Sequence, residues 1–367
     1  MRKKTEYTGN KTVYPRNIRH ERRNKMYRKM KLLKRLTAGL MAPLLLAGLL
    51  AGCQSGPGGG ASAGLSAGSV TEPGTVSADS AAYYTFEDGL GNTVVLKEKP
   101  EKVAVLFSSY ADVWQCAGGE VAVTVGESVE RGFADESAVL VDGGAGKTID
   151  NERLVAEEPD FVICSADLSE QVKTAELLNK AGIPCAAFHV ESFEDYLNML
   201  KICTDICENP EAYQTYGTAV QAEIQSILAD VAEKQAGKPQ KKILFIRAGS
   251  KSSATKAKTA EDHFACAMLK EMGTYNIAEN APALLDGLSF EEVLSEQPDF
   301  IFISTMGKEE AARAYMDSVL AEESWQGLTA VQGGNYAYLP KELFQFKPNA
   351  RWAEAYRYLA GLLYPEA

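Results

Sequence analysis

The sequence predicts an α/β protein of two related lobes with largely parallel sheets, joined by one long rigid helix, and three observations lead there. Residues 151–163 recur as 290–302, with Glu152, Glu157, Pro159, Asp160 and Phe161 matched by Glu291, Glu296, Pro298, Asp299 and Phe300. Short apolar runs alternate with amphipathic helical runs in both halves. Between the halves, residues 210–235 hold a single Gly and place Val220, Ile224, Ile227, Leu228 and Val231 at helical spacing. A repeat this long marks two related domains and not a solenoid of short units.

The chain of 367 residues opens on a basic segment, with 14 Lys and Arg against 2 Asp and Glu over residues 1–52. It leads into an apolar run, residues 36–50, shorter than the roughly 20 residues of a membrane span. That order predicts a secretory signal over 1–52 that is cleaved off, with translation starting at Met1, Met26 or Met30. Leu50-Ala51-Gly52-Cys53 resembles a bacterial lipobox, which implies a lipid on Cys53 and attachment to the outer face of the cell membrane. Residues 53–82, rich in Gly, Ser and Ala, are too poor in large apolar side chains to fold and read as a flexible tether.

The formal net charge is -11 overall, so removing the basic leader leaves a body near -23. Such a body repels nucleic acid and anionic membrane surfaces, so only a lipid anchor would hold it to a bilayer. Six cysteines follow Cys53, namely Cys116, Cys164, Cys185, Cys203, Cys207 and Cys266, in no dense framework, and disulfides among them are left open. Cys203 and Cys207 share a helix face, but as small buried hydrophobes more than as a metal pair.

Within the folded part, residues 83–207 form a first lobe, 208–236 the connecting helix and 237–367 a second lobe. Each repeat copy reads as a short helix stopped by Pro and a buried strand opening at Asp-Phe. Strand runs at 102–107 and 242–246 precede the copies, and helical runs at 177–184 and 264–273 lie between strands. Pro210 and Gly237 bracket the connecting helix as start and stop.

Catalytic signatures are lacking. The segment from Asp142 to Thr148 ends like a phosphate-binding loop, but Val141 stands where that loop requires Gly. The 3 His include His20 in the leader, and neither a His-Glu-x-x-His nor a Gly-x-Ser-x-Gly motif occurs. His189, in a strand predicted over 186–190, reads as a structural His, and so few His argue against a bare zinc or manganese site. The expectation is a binding protein and not an enzyme.

From about Tyr84 to Pro365 the chain resembles the solute-binding proteins for iron-siderophore, haem and cobalamin uptake by ABC importers. The resemblance rests on Phe86-Glu87-Asp88-Gly89, Pro100-Glu101-Lys102-Val103, both Pro-Asp-Phe copies, Ala181-Gly182-Ile183-Pro184, Asn276-Ile277-Ala278, Trp325 with Leu328, and Phe346-Lys347-Pro348-Asn349-Ala350-Arg351. It implies a monomeric receptor with a ligand cleft between the lobes and a surface Glu on each lobe, here Glu152 and Glu291, that docks on a permease dimer. Reading Asp150 and Ser289 as N-caps puts both Glu at the second helical position and makes Ser289 and Glu292 a capping box.

Ligands of open α/β sheets sit at the carboxyl ends of strands. That nominates Tyr110, Arg131 and Lys147 in the first half and Arg247, Lys251 and Phe346 in the second, alongside Ser108, Ser109, Phe133, Leu285, Met306 and Phe344. Cations with aromatics suit a bulky anionic chelate, a ferric siderophore first, with haem held by Tyr110 or Tyr275, cobalamin, or a free metal ion as alternatives. No cofactor is expected beyond that ligand.

Overall fold

Parallel pairing organises both halves of the computed structural model, which describes residues 82–143 and 148–365. An antiparallel hairpin, β1 (Tyr84–Glu87) and β2 (Thr93–Leu96), comes first. The chain then alternates β3 (Val103–Val105), α1 (Ser108–Ala117), β4 (Val123–Thr124), α2 (Gly126–Glu130), β5 (Val139–Leu140), α3 (Asn151–Ala156), β6 (Phe161–Ser165), α4 (Ser169–Lys180) and β7 (Cys185–Phe188). All five strands from β3 to β7 are parallel, in the order β5-β4-β3-β6-β7.

Both faces of this sheet are covered, which is why its strands read as unbroken apolar runs. Val103, Val105, Phe161 and Ile163 point into one apolar cluster, whereas Ala104, Leu106, Val162 and Cys164 point into another. The hairpin lies on the first of these faces, with the Phe86 ring stacked 6.2 Å from Phe188. Asp88 anchors it, one carboxylate oxygen accepting from Leu90 and Asn92 N and the other from Ala187 N in β7.

After α5 (Phe193–Ile206), the connecting helix starts at Asn209, whose side chain accepts from Ala212 N, with Pro210 in the first turn. It runs as α6 (Pro210–Tyr213), a π turn (Gln214–Thr218) and α7 (Ala219–Gln235), about 39 Å in all at 1.5 Å per residue. The sequence predicted no π turn. It falls where Gly217 meets α5, and a Cβ there would lie 3.1 Å from Leu197 and 3.3 Å from Leu200.

The second half contains β8 (Lys242–Ala248), β9 (Lys256–Ala257), α8 (Phe264–Glu271), β10 (Tyr275–Asn276), α9 (Phe290–Glu296), β11 (Phe300–Thr305) and β12 (Tyr336–Tyr338). Its strands run β10-β8-β11-β12 in parallel, with β9 antiparallel to β8. Near the end come α10 (Lys341–Phe344) and α11 (Trp352–Leu363). One apolar cluster is continuous from Val105 and Phe161 of the first sheet through Ile224, Ile227 and Val231 of α7 and Tyr356 of α11 to Ile243, Phe245 and Phe302 of the second. Trp352 bridges it, 6.0 Å from Phe193 and 5.5 Å from Phe264. Among the described residues no helix is long and apolar enough to cross a membrane.

The repeated segment has one job in both halves. Glu158 and Gln297 end α3 and α9 with the same positive φ of 48°, each directly before the Pro. Asp160 then accepts from Glu101 and Lys102 N, and Asp299 accepts from Lys242 N. Lys102 pairs with Glu157 at 3.1 Å and Lys242 with Glu296 at 2.9 Å. Each copy thus fastens the entry of β6 or β11 to the entry of its neighbour β3 or β8.

Two local expectations fail. Ser289 stands at the N-cap of α9 but its side chain accepts no capping hydrogen bond, so no capping box with Glu292 forms. The strand expected over 186–190 ends at Phe188, and His189 is half-exposed beyond it. Among the described residues the six cysteines form no disulfide, and burial pushes the Cys207 thiol up to about 12 and raises that of Cys203 well above its ordinary value, so both stay protonated and poor metal ligands.

Replacing Asp160 or Asp299 with Ala should each cost about 1 kcal/mol in urea unfolding, because a charged acceptor of backbone N–H groups is lost. Lys102→Met and Lys242→Met should cost less, since half-exposed ion pairs contribute little. Lysine variants that destabilise more than the aspartate variants would contradict this ranking.

Candidate functional site

Parallel sheets put all strand carboxyl ends on one edge, and the loops leaving that edge bring side chains of both halves together. Arg131 follows α2 in the first half. Its Nη1 donates to Ser108 Oγ at 2.9 Å and to Ser109 Oγ at 3.2 Å, and Ser108 in turn donates to Glu127. The guanidinium carbon lies 4.7 Å from the Phe133 ring centre and 3.8 Å from that of Phe346, which comes from the second half. Burial lowers the Arg131 pKa, opposed by Glu342, Glu127 and Asp112, and Nε is buried with no partner among the described residues.

The loop carrying Phe346 is fastened to the first half at two further points. Lys347 Nζ, on a side chain only 12% exposed, meets Glu191 Oε1 at 2.6 Å. Asn349, held at a φ of 50°, donates from Nδ2 to Ser109 O at 2.7 Å and to Asp112 Oδ2 at 3.1 Å. Lys347 also lies 5.5 Å from the Phe264 ring centre.

Next to Lys347 is His263, which caps α8 by accepting from Ala265 N at Nδ1, 3.2 Å away. Its ring sits 4.5 Å from Phe245 and 5.0 Å from Phe264. Burial first, then the positive charges of Arg247 and Lys347, hold its pKa down to about 3. The imidazole thus stays uncharged beside Arg247 and Lys347, with Asp262 as the opposing carboxylate.

The predicted site residues fare unequally. Arg131 and Phe346 are in contact, and Arg247 is half-buried near the end of β8, opposite Ser304, close enough to His263 to repel its proton. Tyr110 is a correction: it is fully buried in α1, packs edge-on against Phe107 and Phe188 and donates its hydroxyl to Phe188 O at 2.9 Å, so it is a core residue. Phe344 is likewise fully buried. Tyr275 pairs with Lys242, the first residue of β8, which puts it at the opposite edge of the sheet.

Lys251 is exposed in the β8–β9 loop, where its carbonyl accepts from Ala254 N and Thr255 Oγ1. Lys147 and Cys53 lie outside the described residues. Glu152 and Glu291 are both exposed at the second positions of α3 and α9, the first under an Asp150 cap that accepts from Arg153 N. Glu191, Lys347, Asn349 and His263 escaped sequence reading, although Lys347 and Asn349 stand beside Phe346 in the motif already singled out. A surface hollow of about 390 Å³ lined by Leu90, Asn92, Val172, Glu176 and Lys180 shares no residue with this group.

Residues 103–343 match the family described as periplasmic binding protein. Comparison with curated proteins finds no match. Among solved structures, SirA of Staphylococcus aureus complexed with staphyloferrin B is similar, with a TM-score of 0.59 at 16% identity over 77% of this chain and 97% of its own. The periplasmic haem-binding protein RhuT of Roseiflexus sp. RS-1 gives 0.59 at 17% identity, over 72% and 98%. The siderophore-binding protein BauB, bound to two molecules of acinetobactin and ferric iron, gives 0.60 at 14% identity, over 76% and 97%.

His263 binds its proton more weakly folded, at about 3, than unfolded, near the ordinary ~6.5, so the unfolded chain takes up protons first on acidification. Its contribution to stability is therefore complete above about pH 6.5 and declines toward pH 3, by about 2 kcal/mol between pH 7 and pH 5. Urea midpoints should fall over that range, less steeply in His263→Gln, and the His263 NMR signals should not titrate above about pH 4. A titration centred near 6.5 would contradict the burial argument.

Proposed function

The chain belongs to the periplasmic binding protein family, and on that premise we propose that it is the receptor of an ABC importer, capturing an anionic ferric chelate and handing it to a permease dimer. Family membership supports reading it as an extracytoplasmic binding protein, and on this reading its task is capture and not catalysis. In this reading residues 1–52 are a cleaved signal, Cys53 carries the lipid, residues 53–82 are the tether, and lobes 83–207 and 237–367 flank the helix 208–236.

The observation that carries the ligand class is the meeting of Arg131 with Phe346 across the two halves, beside Lys347 and Arg247. In a body near net -23, cations gathered on one edge with aromatic faces between them favour a guest that is both anionic and flat or bulky. The buried Arg131 Nε has its donor unspent, as a site waiting for an oxyanion would. BauB is described as a siderophore-binding protein with ferric iron in its bound complex, which agrees with that guest class.

Delivery is assigned to Glu152 and Glu291. They are exposed and occupy equivalent repeat positions at the starts of α3 and α9, so a permease dimer with matched basic sites could meet both carboxylates at once.

Native mass spectrometry of the full chain in detergent, screened against ferric siderophores, haem and cobalamin, should show one anionic ferric chelate bound per protein. Arg131→Ala should weaken it at least about tenfold, the loss of a charge-assisted hydrogen bond. Binding of a free divalent ion with no chelate would overturn the ligand class. Exchanging Glu152 and Glu291 together for Lys should abolish uptake by cells with ligand affinity intact, and reduced ligand affinity instead would refute the docking role.

A further inference from the structure

The two copies of the repeated segment perform one structural task but turn different faces outward. Positions that serve the fold agree: Leu154 and Val293 are buried, Glu157 and Glu296 pair with lysines of the neighbouring strands, and Asp160 and Asp299 hold those strands' backbone. Positions beside the two docking glutamates do not agree. Arg153 in α3 is matched by Glu292 in α9, and Val155 by Leu294. Both helices fasten their strands in the same way, so the fold does not demand these differences, and they belong to whatever the helices meet.

The differences are of charge and of apolar exposure. In α3, Asp150 and Glu152 stand against an exposed Arg153, which leaves one negative charge at this helix start, whereas Glu291 and Glu292 leave two at the start of α9. Asp150 moreover commits an oxygen to Arg153 N as the cap. Leu294 lies one turn after Glu291, so the two share a face of α9, and Leu294 is 43% exposed. Val155, at the matching position, is half-buried against the cluster of Ala104, Leu106 and Val162.

We propose that the two lobes dock on the permease dimer unequally: α9, with Glu291, Glu292 and Leu294, is the anchor, and α3, where Arg153 opposes Glu152, is the weaker contact. This rests on the reading of Glu152 and Glu291 as the docking residues. A dimer presents one basic site twice, so any difference in hold comes from the receptor. Arg153 repels the cation that Glu152 attracts, while Glu292 adds to the attraction of Glu291. Leu294 supplies apolar area that leaves water on contact, and it does so on the second lobe alone.

Single variants separate this inequality from the docking reading itself. Cells carrying the full chain, at equal amounts of each variant, are supplied with radioactive iron as ferric citrate, a ferric trihydroxamate or a ferric tricatecholate, whichever of them binds in native mass spectrometry. Glu291→Lys alone should lower uptake at least about tenfold, Glu152→Lys alone by no more than about threefold, and Leu294→Ser by about fivefold, all with chelate affinity unchanged. Arg153→Glu added to Glu291→Lys should restore uptake about threefold or more, because it gives α3 the charges of α9. Equal losses from the two single lysine variants, full uptake by Leu294→Ser, or no rescue by Arg153→Glu overturns the proposal and leaves the docking reading standing. Full uptake by the double lysine variant ends both, as does failure of the wild-type protein to import any of the three chelates.

Discussion

In each half, a carboxylate at the start of one buried strand holds the backbone at the start of the next: Asp160 on Lys102 N, and Asp299 on Lys242 N. Parallel strands are not joined by a hairpin, so nothing local fixes their register. These two aspartates set it for β3 with β6 and for β8 with β11, the central pairs of both sheets. Everything at the opposite edge inherits that setting. A slip of one residue would turn Phe161 or Phe302 out of the core and move Asp167 or Arg247 with it.

The second constraint is the apolar cluster that runs unbroken from one sheet to the other through α7 and α11. Lobes sharing a core cannot swing apart without exposing it, and at about 25 cal/mol per Å² that exposure is costly. Large hinge closure is therefore disfavoured, and recognition falls to loops already in place, such as that carrying Phe346, Lys347 and Asn349. Three ties of different kinds, cation–π, ion pair and buried amide, hold this loop against the first half.

The architecture was largely legible because its signals are periodic. The repeat at Glu157-x-Pro159-Asp160 announced two related halves, and Pro210 and Gly237 announced the ends of the connecting helix. The π turn at Gln214–Thr218 was not, since it arises from the close approach of Gly217 to Leu197 and Leu200 on another helix. The site was legible only in part. Arg131 and Phe346 could be nominated from strand ends, but Tyr110, one turn into α1, points into the core, and only the tertiary fold decides that. His189 was misplaced for a related reason: whether β7 extends two residues further depends on pairing with Ser165 and Ala166, which no local pattern encodes.

The central claim is that loops from both halves form one binding surface for an anionic chelate. Hydrogen–deuterium exchange of the full chain, with and without the ferric chelate that binds, tests it most directly. Protection should appear together in the segments around Arg131 and His189 of the first half and around Arg247, His263 and Phe346 of the second. Protection confined to one half, or centred on the hollow between Leu90 and Lys180, would contradict it.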